Sequence, residues 1–259
     1  MQTTIIPTGF HTLDALLGGG LRPGTLTLVG ARPGMGKTLF MEQIRGNCIT
    51  RPAVLTGEGE KPHRWIAAPC KYCKENSGGF SSGWIVRDLP NERGAFAFVD
   101  DLTYFGGSLA EKTRALAEAA KDRSIVIVAA IKLPRRLERR KDKRPILSDF
   151  GAGLFGRGGA ARYADNVIAL YRDFYYTQKK VPDGEPNAEA IVLKSARGMT
   201  GTVDMFFNGK AKNRREAWSS PPAEGARRRI AIDRVSGMGD RQAGFDMIYE
   251  CVIEERKAK

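Results

Sequence analysis

The sequence predicts an α/β fold built on a mostly parallel central sheet, doubly wound at its start and finished by antiparallel hairpins at one edge. Three observations carry that prediction. Short β-branched runs recur along the chain, with helical segments or loops between them. The early runs are continuously apolar, as strands buried on both faces are, rather than alternating. A glycine-rich loop ending in a Lys-Thr pair joins the first run to a helical segment. At 259 residues the chain is long enough to bury a substantial core.

In chain order, "TLTLV" (25–29) is the first strand, "ARPGMGKT" (31–38) the loop, and Lys37 to Gly46 a helix. "AVLT" (53–56) is the next strand and runs into "GEGE". From Lys61 to Asn91 Pro, Gly, Ser, Trp and a Cys pair mix without a period, so no element is expected there. "AFAFVD" (95–100) is a strand, and Ser108 to Arg123 a helix with Ser108 as its cap and Glu111 at the capping-box position. "SIVIVAA" (124–130) is a strand, Phe150 to Arg162 a glycine-rich loop, and "NVIALY" (166–171), "EAIVLK" (189–194) and "VDMFF" (203–207) follow closely enough to form hairpins. Asn208 to Gly225 is basic and Pro/Ser-bearing and reads as a linker or mobile loop. Beyond it, "RRIAIDRV" reads as a strand, and Asp240 to Lys257 as an amphipathic helix with Phe245, Ile248, Tyr249, Val252 and Ile253 apolar. The expected division is a core over residues 1–207 and a basic extension over 208–259.

The formal charge is +13, and two segments hold most of it: Lys132 to Arg144 at +6 and Lys210 to Arg229 at +5. Such concentration favours a polyanion, because neutralising phosphates releases counterions; a solvated basic face is the bland alternative. Four cysteines are too few for a disulfide scaffold in a chain of this length. No apolar run approaches the roughly 18 to 20 residues that span a bilayer, and "MQTTIIPTGF" lacks the shape of a signal peptide. A cytoplasmic protein without membrane contact is expected.

A phosphate loop needs glycines that turn backbone N–H groups toward an anion, a lysine for the β- and γ-phosphates, and a hydroxyl for Mg²⁺. Here Gly34 and Gly36 supply the turns, Lys37 the charge and Thr38 the hydroxyl. Ala31 stands where the usual pattern has its first glycine, a substitution tolerated wherever the backbone is ordinary. Hydrolysis also needs a carboxylate at the metal and one to activate water. Asp100 and Asp101 end one apolar strand and Glu58 and Glu60 follow another, which makes Asp100 the metal candidate and Glu58 the base.

The opening "PTGFHTLDALLGGGLRPGTLTLVGARPGMGKT" resembles the start of the RecA-like motor domain of replicative helicases of the DnaB family, in which alanine at that loop position is typical. "LERRKDKRPILSDF", "ADNVIALYRDFYY" and "KSARGMTGTV" are similar to that family's later motifs and follow its order, so the resemblance covers roughly residues 7 to 207. It implies a RecA-like P-loop ATPase core that binds ATP and Mg²⁺ and moves along single-stranded DNA, 5′ to 3′, as a hexameric ring working with a replication partner or loader. Within it, Arg32, Pro33, Gly34, Met35, Gly36, Lys37 and Thr38 would surround the nucleotide, with Asp100 at the metal and Glu58 as catalytic glutamate. Lys194 matches a lysine that reaches the neighbouring subunit's ATP. Aligning on "GMTG" leaves Ala196 at the partner arginine and Arg197 one place later. A DNA-binding ATPase without unwinding activity, or a nucleotide-gated interaction module, is the alternative.

Three departures stand out. Lys132 replaces the family's sensor glutamine, and could touch a γ-phosphate without orienting water as an amide does. The stretch between Glu58 and Asp100 is short for the family. Only six residues precede "PTGF", so the family's N-terminal domain and linker helix are expected to be missing. DNA contacts are expected from Arg139, Arg140, Lys143 and Arg144 and from the loop "GAGLFGRGGAAR" with Arg157 and Arg162, through phosphates rather than bases. Cys70 and Cys73 have the spacing of half a zinc site, which His63 and Cys48 would have to complete; two ordinary thiols are the expected reading.

Overall fold

The computed structural model describes residues 5–49, 63–67, 82–87, 89–105, 107–151, 159–179, 181–196, 198–211, 216–221 and 230–235. Its strands are β1 (Thr25–Ala31), β2 (His63–Ala67), β3 (Phe96–Asp100), β4 (Val126–Lys132), β5 (Asn166–Tyr171), β6 (Ala188–Lys194), β7 (Met199–Phe207), β8 (Trp218–Ser219) and β9 (Ile230–Val235). They form one mixed sheet in the order β2-β3-β4-β1-β5-β6-β7-β8, with β9 also paired to β7. From β2 to β5 every pairing is parallel. From β5 onward the pairings are antiparallel, as the closely spaced later runs require. The parallel direction gathers the carboxyl ends Ala31, Asp100, Lys132 and Tyr171 along one edge of the sheet.

The helices are α1 (His11–Leu16), α2 (Lys37–Ile49), α3 (Ser82–Arg87), α4 (Leu109–Arg123) and α5 (Phe174–Thr177). Phe40, Met41 and Ile44 of α2 pack with Val29, Phe98 and Ile168 in one hydrophobic core. Leu116, Ala117 and Ala120 of α4 pack with Leu26, Leu28 and Ile127 in a second. Leu26 and Leu28 thus face one layer and Val29 and Ala31 the other, which is why β1 reads as an unbroken apolar run. Each fully buried Leu, Val or Phe contributes about 1.5–3 kcal/mol. The start of α4 follows the sequence reading: Ser108 Oγ accepts from Glu111 N and Ser108 N donates to a Glu111 carboxylate oxygen, both at 3.2 Å.

The opening motif is held by a carboxylate. Thr8 N and Oγ1 both donate to Asp14 Oδ1 at 2.8 Å, around a Gly9 whose φ of +88° suits glycine. Phe10 then stacks on Phe40 at 5.1 Å, which ties the opening segment to α2.

The fold differs from the sequence reading in several places. The helix expected over 37–46 continues to Ile49. The region 61–91, where no element was expected, contains β2 and α3. Five-residue β2 is too short to show a period among its Pro- and Lys-rich neighbours. The linker reading fails at Ala217 and Trp218: both are buried, and the Trp218 ring sits in the core against Phe40 and Phe207. The strand expected at 53–56 and the helix expected at 240–257 lie outside the described residues. Among the described residues no helix is long and apolar enough to cross a membrane.

Candidate nucleotide site

β1 ends at Ala31 and the chain turns through Arg32 to Gly36 into α2. Ala31 is a strand residue with ordinary negative φ, so it needs no glycine. Gly34 and Gly36 do, at φ +79° and +92°. A Cβ on Gly36 would also stand 2.6 Å from Phe207 Cε2. The loop is braced from outside. Trp218 Nε1 donates to Gly36 O at 3.2 Å and Arg172 Nη1 to Gly34 O at 3.1 Å. Gln43 of α2 grips the Trp218 backbone, accepting from Trp218 N at 2.9 Å and donating to Trp218 O. The Arg172 guanidinium lies 3.9 Å from the Phe207 ring, and Tyr175 covers Gly34.

At the mouth of the loop Thr38 Oγ1 donates to Asp100 Oδ2 at 2.8 Å. The hydroxyl and carboxylate expected to share a metal, far apart in sequence, thus meet where α2 begins and β3 ends. Burial holds the Lys37 ammonium below the usual lysine range, with Asp101 and Asp100 pulling it back up. Burial pushes the Asp100 carboxyl up, against the hydrogen bond from Thr38. Burial thus disfavours the charged form of both groups, and each is the other's nearby opposite charge. Lys132, exposed at the end of β4 and in register with Ala31, adds a second positive charge near Lys37.

The other expected site residues divide. The Arg32 side chain turns away from the loop: Nε pairs with Glu138 at 2.7 Å and Nη1 donates to Leu133 O at 2.7 Å, while its carbonyl accepts from Met35 N at 3.3 Å. Met35 is in the core. Lys194 lies at the opposite end of the sheet from Lys37, paired with Val167 near the start of β5. Its ammonium donates to Ala161 O, Arg162 O and Ala164 O, and burial lowers its pKa. Glu58, Arg197, Arg157, Cys70 and Cys73 lie outside the described residues. Cys48 is buried in the core, its thiol donating to Pro7 O at 3.6 Å, and among the described residues no three His, Cys, Asp or Glu side chains gather as for a metal.

The basic residues do not form one patch. Arg140 donates to Asp149 at 2.7 Å, and Arg144 makes a two-toothed pair with Glu189 at 2.5 and 2.7 Å over the Tyr171 ring. Lys143 stands 5.8 Å from the Tyr176 ring. Arg139 is exposed on the short helical turn Arg135–Arg139. These lie toward the loop end of the sheet, whereas Arg162, exposed on the turn Ala160–Arg162, lies at the Lys194 end. Six-residue β5 separates the two groups by about 20 Å. Trp218, Gln43, Arg172 and Tyr175 were not expected at the site. Arg172 and Tyr175 lie within the quoted "ALYRDFYY" run, while Trp218 carried no sequence signal.

The family described as the DnaB-like helicase C terminal domain matches residues 5–63 and 106–215. The stretch between, which includes Asp100, falls outside that match. The chain is 30% identical over 263 residues to the replicative DNA helicase DnaB of Haemophilus influenzae, covering 80% of this chain and 54% of that protein. To the DnaB of Helicobacter pylori it is 27% identical over 290 residues, covering 80% and 58%. It spans about half the length of the curated relatives it matches. A solved structure described as an ATPase domain superposes with a TM-score of 0.65 at 22% identity, covering 85% of this chain and 93% of that one. A DnaB-like replicative helicase, solved to show its interactions with primase, superposes with a TM-score of 0.63 at 22% identity, covering 80% and 62%. At such identity these two likenesses speak to fold.

Proposed function

This chain belongs to the DnaB-like helicase C-terminal domain family, and from that premise we propose that it is an ATP-driven motor on single-stranded DNA. ATP and Mg²⁺ bind at Arg32 to Thr38, with Lys37 on the β- and γ-phosphates and Thr38 and Asp100 at the metal. Glu58 activates water, and Lys132 adds charge at the γ-phosphate. The observation that carries the site is the 2.8 Å hydrogen bond from Thr38 to Asp100 beside a half-buried Lys37. Magnesium would neutralise charge building on the phosphates. The chain's own part is to fix the anion on the loop's N–H groups and to exclude water behind Trp218.

The motor works as a homo-oligomer, a hexameric ring in the family's manner, with a replication partner or loader and travel from 5′ to 3′. What supports shared sites is that Lys194 stands at the far end of the sheet from its own chain's loop. It therefore serves a neighbouring copy's nucleotide, with Arg197 beside it. DNA runs past Arg139, Arg140, Lys143, Arg144, Arg157 and Arg162, held through phosphates.

Mixing two inactive variants tests this. Lys37→Ala and Lys194→Ala proteins each fail to hydrolyse ATP. Random co-assembly at equal amounts leaves about a quarter of the interfaces with both lysines intact, so turnover returns to about that fraction of wild type. A mixture as inactive as its parts would refute shared sites.

A further inference from the structure

Lys112 is an ammonium in the wrong kind of place. It lies in the first turn of α4, only 3% exposed, where a methionine or leucine would pack without a desolvation cost. Its Nζ donates to Leu102 O and to Phe105 O, both at 2.6 Å, the short contacts of charge-assisted hydrogen bonds. Those carbonyls belong to the turn that leaves β3 immediately after Asp100 and Asp101.

The turn is held from its other side too. Asp101 accepts from Thr103 N at 3.1 Å and from the Thr103 hydroxyl. Asp101 itself has φ 152° and ψ 104°, a conformation non-glycine residues rarely adopt. Such a backbone persists only where its surroundings over-determine it. Here the carboxylate of Asp101 fixes the front of the turn and the ammonium of Lys112 fixes its back. The residue immediately before is Asp100, whose carboxylate accepts from Thr38.

We infer that Lys112 is a positioning residue of the nucleotide site: through the Leu102 and Phe105 carbonyls it clamps the turn after β3 and so holds Asp100 in place for the metal beside Thr38. This rests on the nucleotide reading above. Lys112 touches neither nucleotide nor metal; it acts on where Asp100 points, as outer partners of metal ligands do.

Two variants test it in the full chain. Lys112→Met keeps the apolar stem and removes the ammonium; Lys112→Gln keeps one donor and covers the case in which the methionine variant does not fold. Binding of a fluorescent ATP analogue is titrated without metal and then against Mn²⁺. Hydrogen exchange at the amides of Thr103 and Phe105 is followed in the same proteins without nucleotide. The clamp predicts about a ten-fold higher Mn²⁺ requirement in the variants, unchanged metal-free binding, and faster exchange at both amides. An unchanged Mn²⁺ requirement overturns it. Equal losses of metal-free and metal-dependent binding, together with a lower melting temperature, also overturn it and leave Lys112 a purely structural group. If the wild-type chain binds no nucleotide, the nucleotide reading fails by itself, and unchanged exchange would then overturn the clamp while faster exchange upholds it.

Discussion

Replacing Trp218 by alanine removes a side chain that joins the segment after β7 to the loop between β1 and α2. Trp218 is wholly buried, its ring 5.4 Å from that of Phe40 and 4.9 Å from that of Phe207, with Nε1 bonded to Gly36 O. Truncating a buried aromatic costs about 3–5 kcal/mol. The lost hydrogen bond adds about 1 kcal/mol. A total of about 4–6 kcal/mol is a large part of the roughly 5–15 kcal/mol that holds a typical domain together. Guanidinium unfolding followed by far-ultraviolet circular dichroism should show the midpoint falling by roughly 1 M. Trp218→Phe keeps a six-membered ring but loses the pyrrole half and the bond to Gly36, so it should cost about 2–3 kcal/mol, less than the alanine variant. If Trp218→Ala stays within about 1 kcal/mol of wild type, Trp218 is not the buttress described here and the segment is a linker after all.

Ser108→Ala removes the cap of α4 and should lower stability by about 1 kcal/mol in the same unfolding assay. Gly36→Ala forces a Cβ onto a residue at φ +92° and to 2.6 Å from Phe207, so nucleotide binding measured by fluorescence titration should be lost. Asp100→Asn separates stability from function. Burial raises the carboxyl's pKa in the fold, so its ionised form is penalised there, and wild type loses stability as pH rises from the unfolded pKa through the folded one. The asparagine variant should therefore melt higher than wild type at neutral pH and lose that advantage toward about pH 4, while metal-dependent turnover disappears. A variant that melts no higher at neutral pH would contradict the burial argument.

The turn between β1 and α2 was legible because its signals are local: Gly34 and Gly36 are neighbours of Lys37 and Thr38, and strand and helix periods flank them. The same holds for Ser108 and Glu111, one helical turn apart. The continuous apolar runs of β1, β3 and β4 announced a buried parallel sheet because strands covered on both faces have no polar side to show. What stayed hidden is non-local. Trp218 is a single apolar residue in a basic, Pro/Ser-bearing stretch, and only the fold brings it to Gly36. The Arg144–Glu189 pair spans 45 positions, so the basic run read as wholly available when part of it is already neutralised. Lys112 carries no signal in the sequence, since nothing in its neighbours tells that its turn faces inward.

ATP hydrolysis measured with and without single-stranded DNA, on protein whose mass is followed by light scattering in the same buffer, bears most directly on the motor reading. Turnover stimulated strongly by DNA, from an assembly of ring size, is the predicted result. ATP bound but not hydrolysed, from a monomer that DNA leaves unchanged, would contradict it.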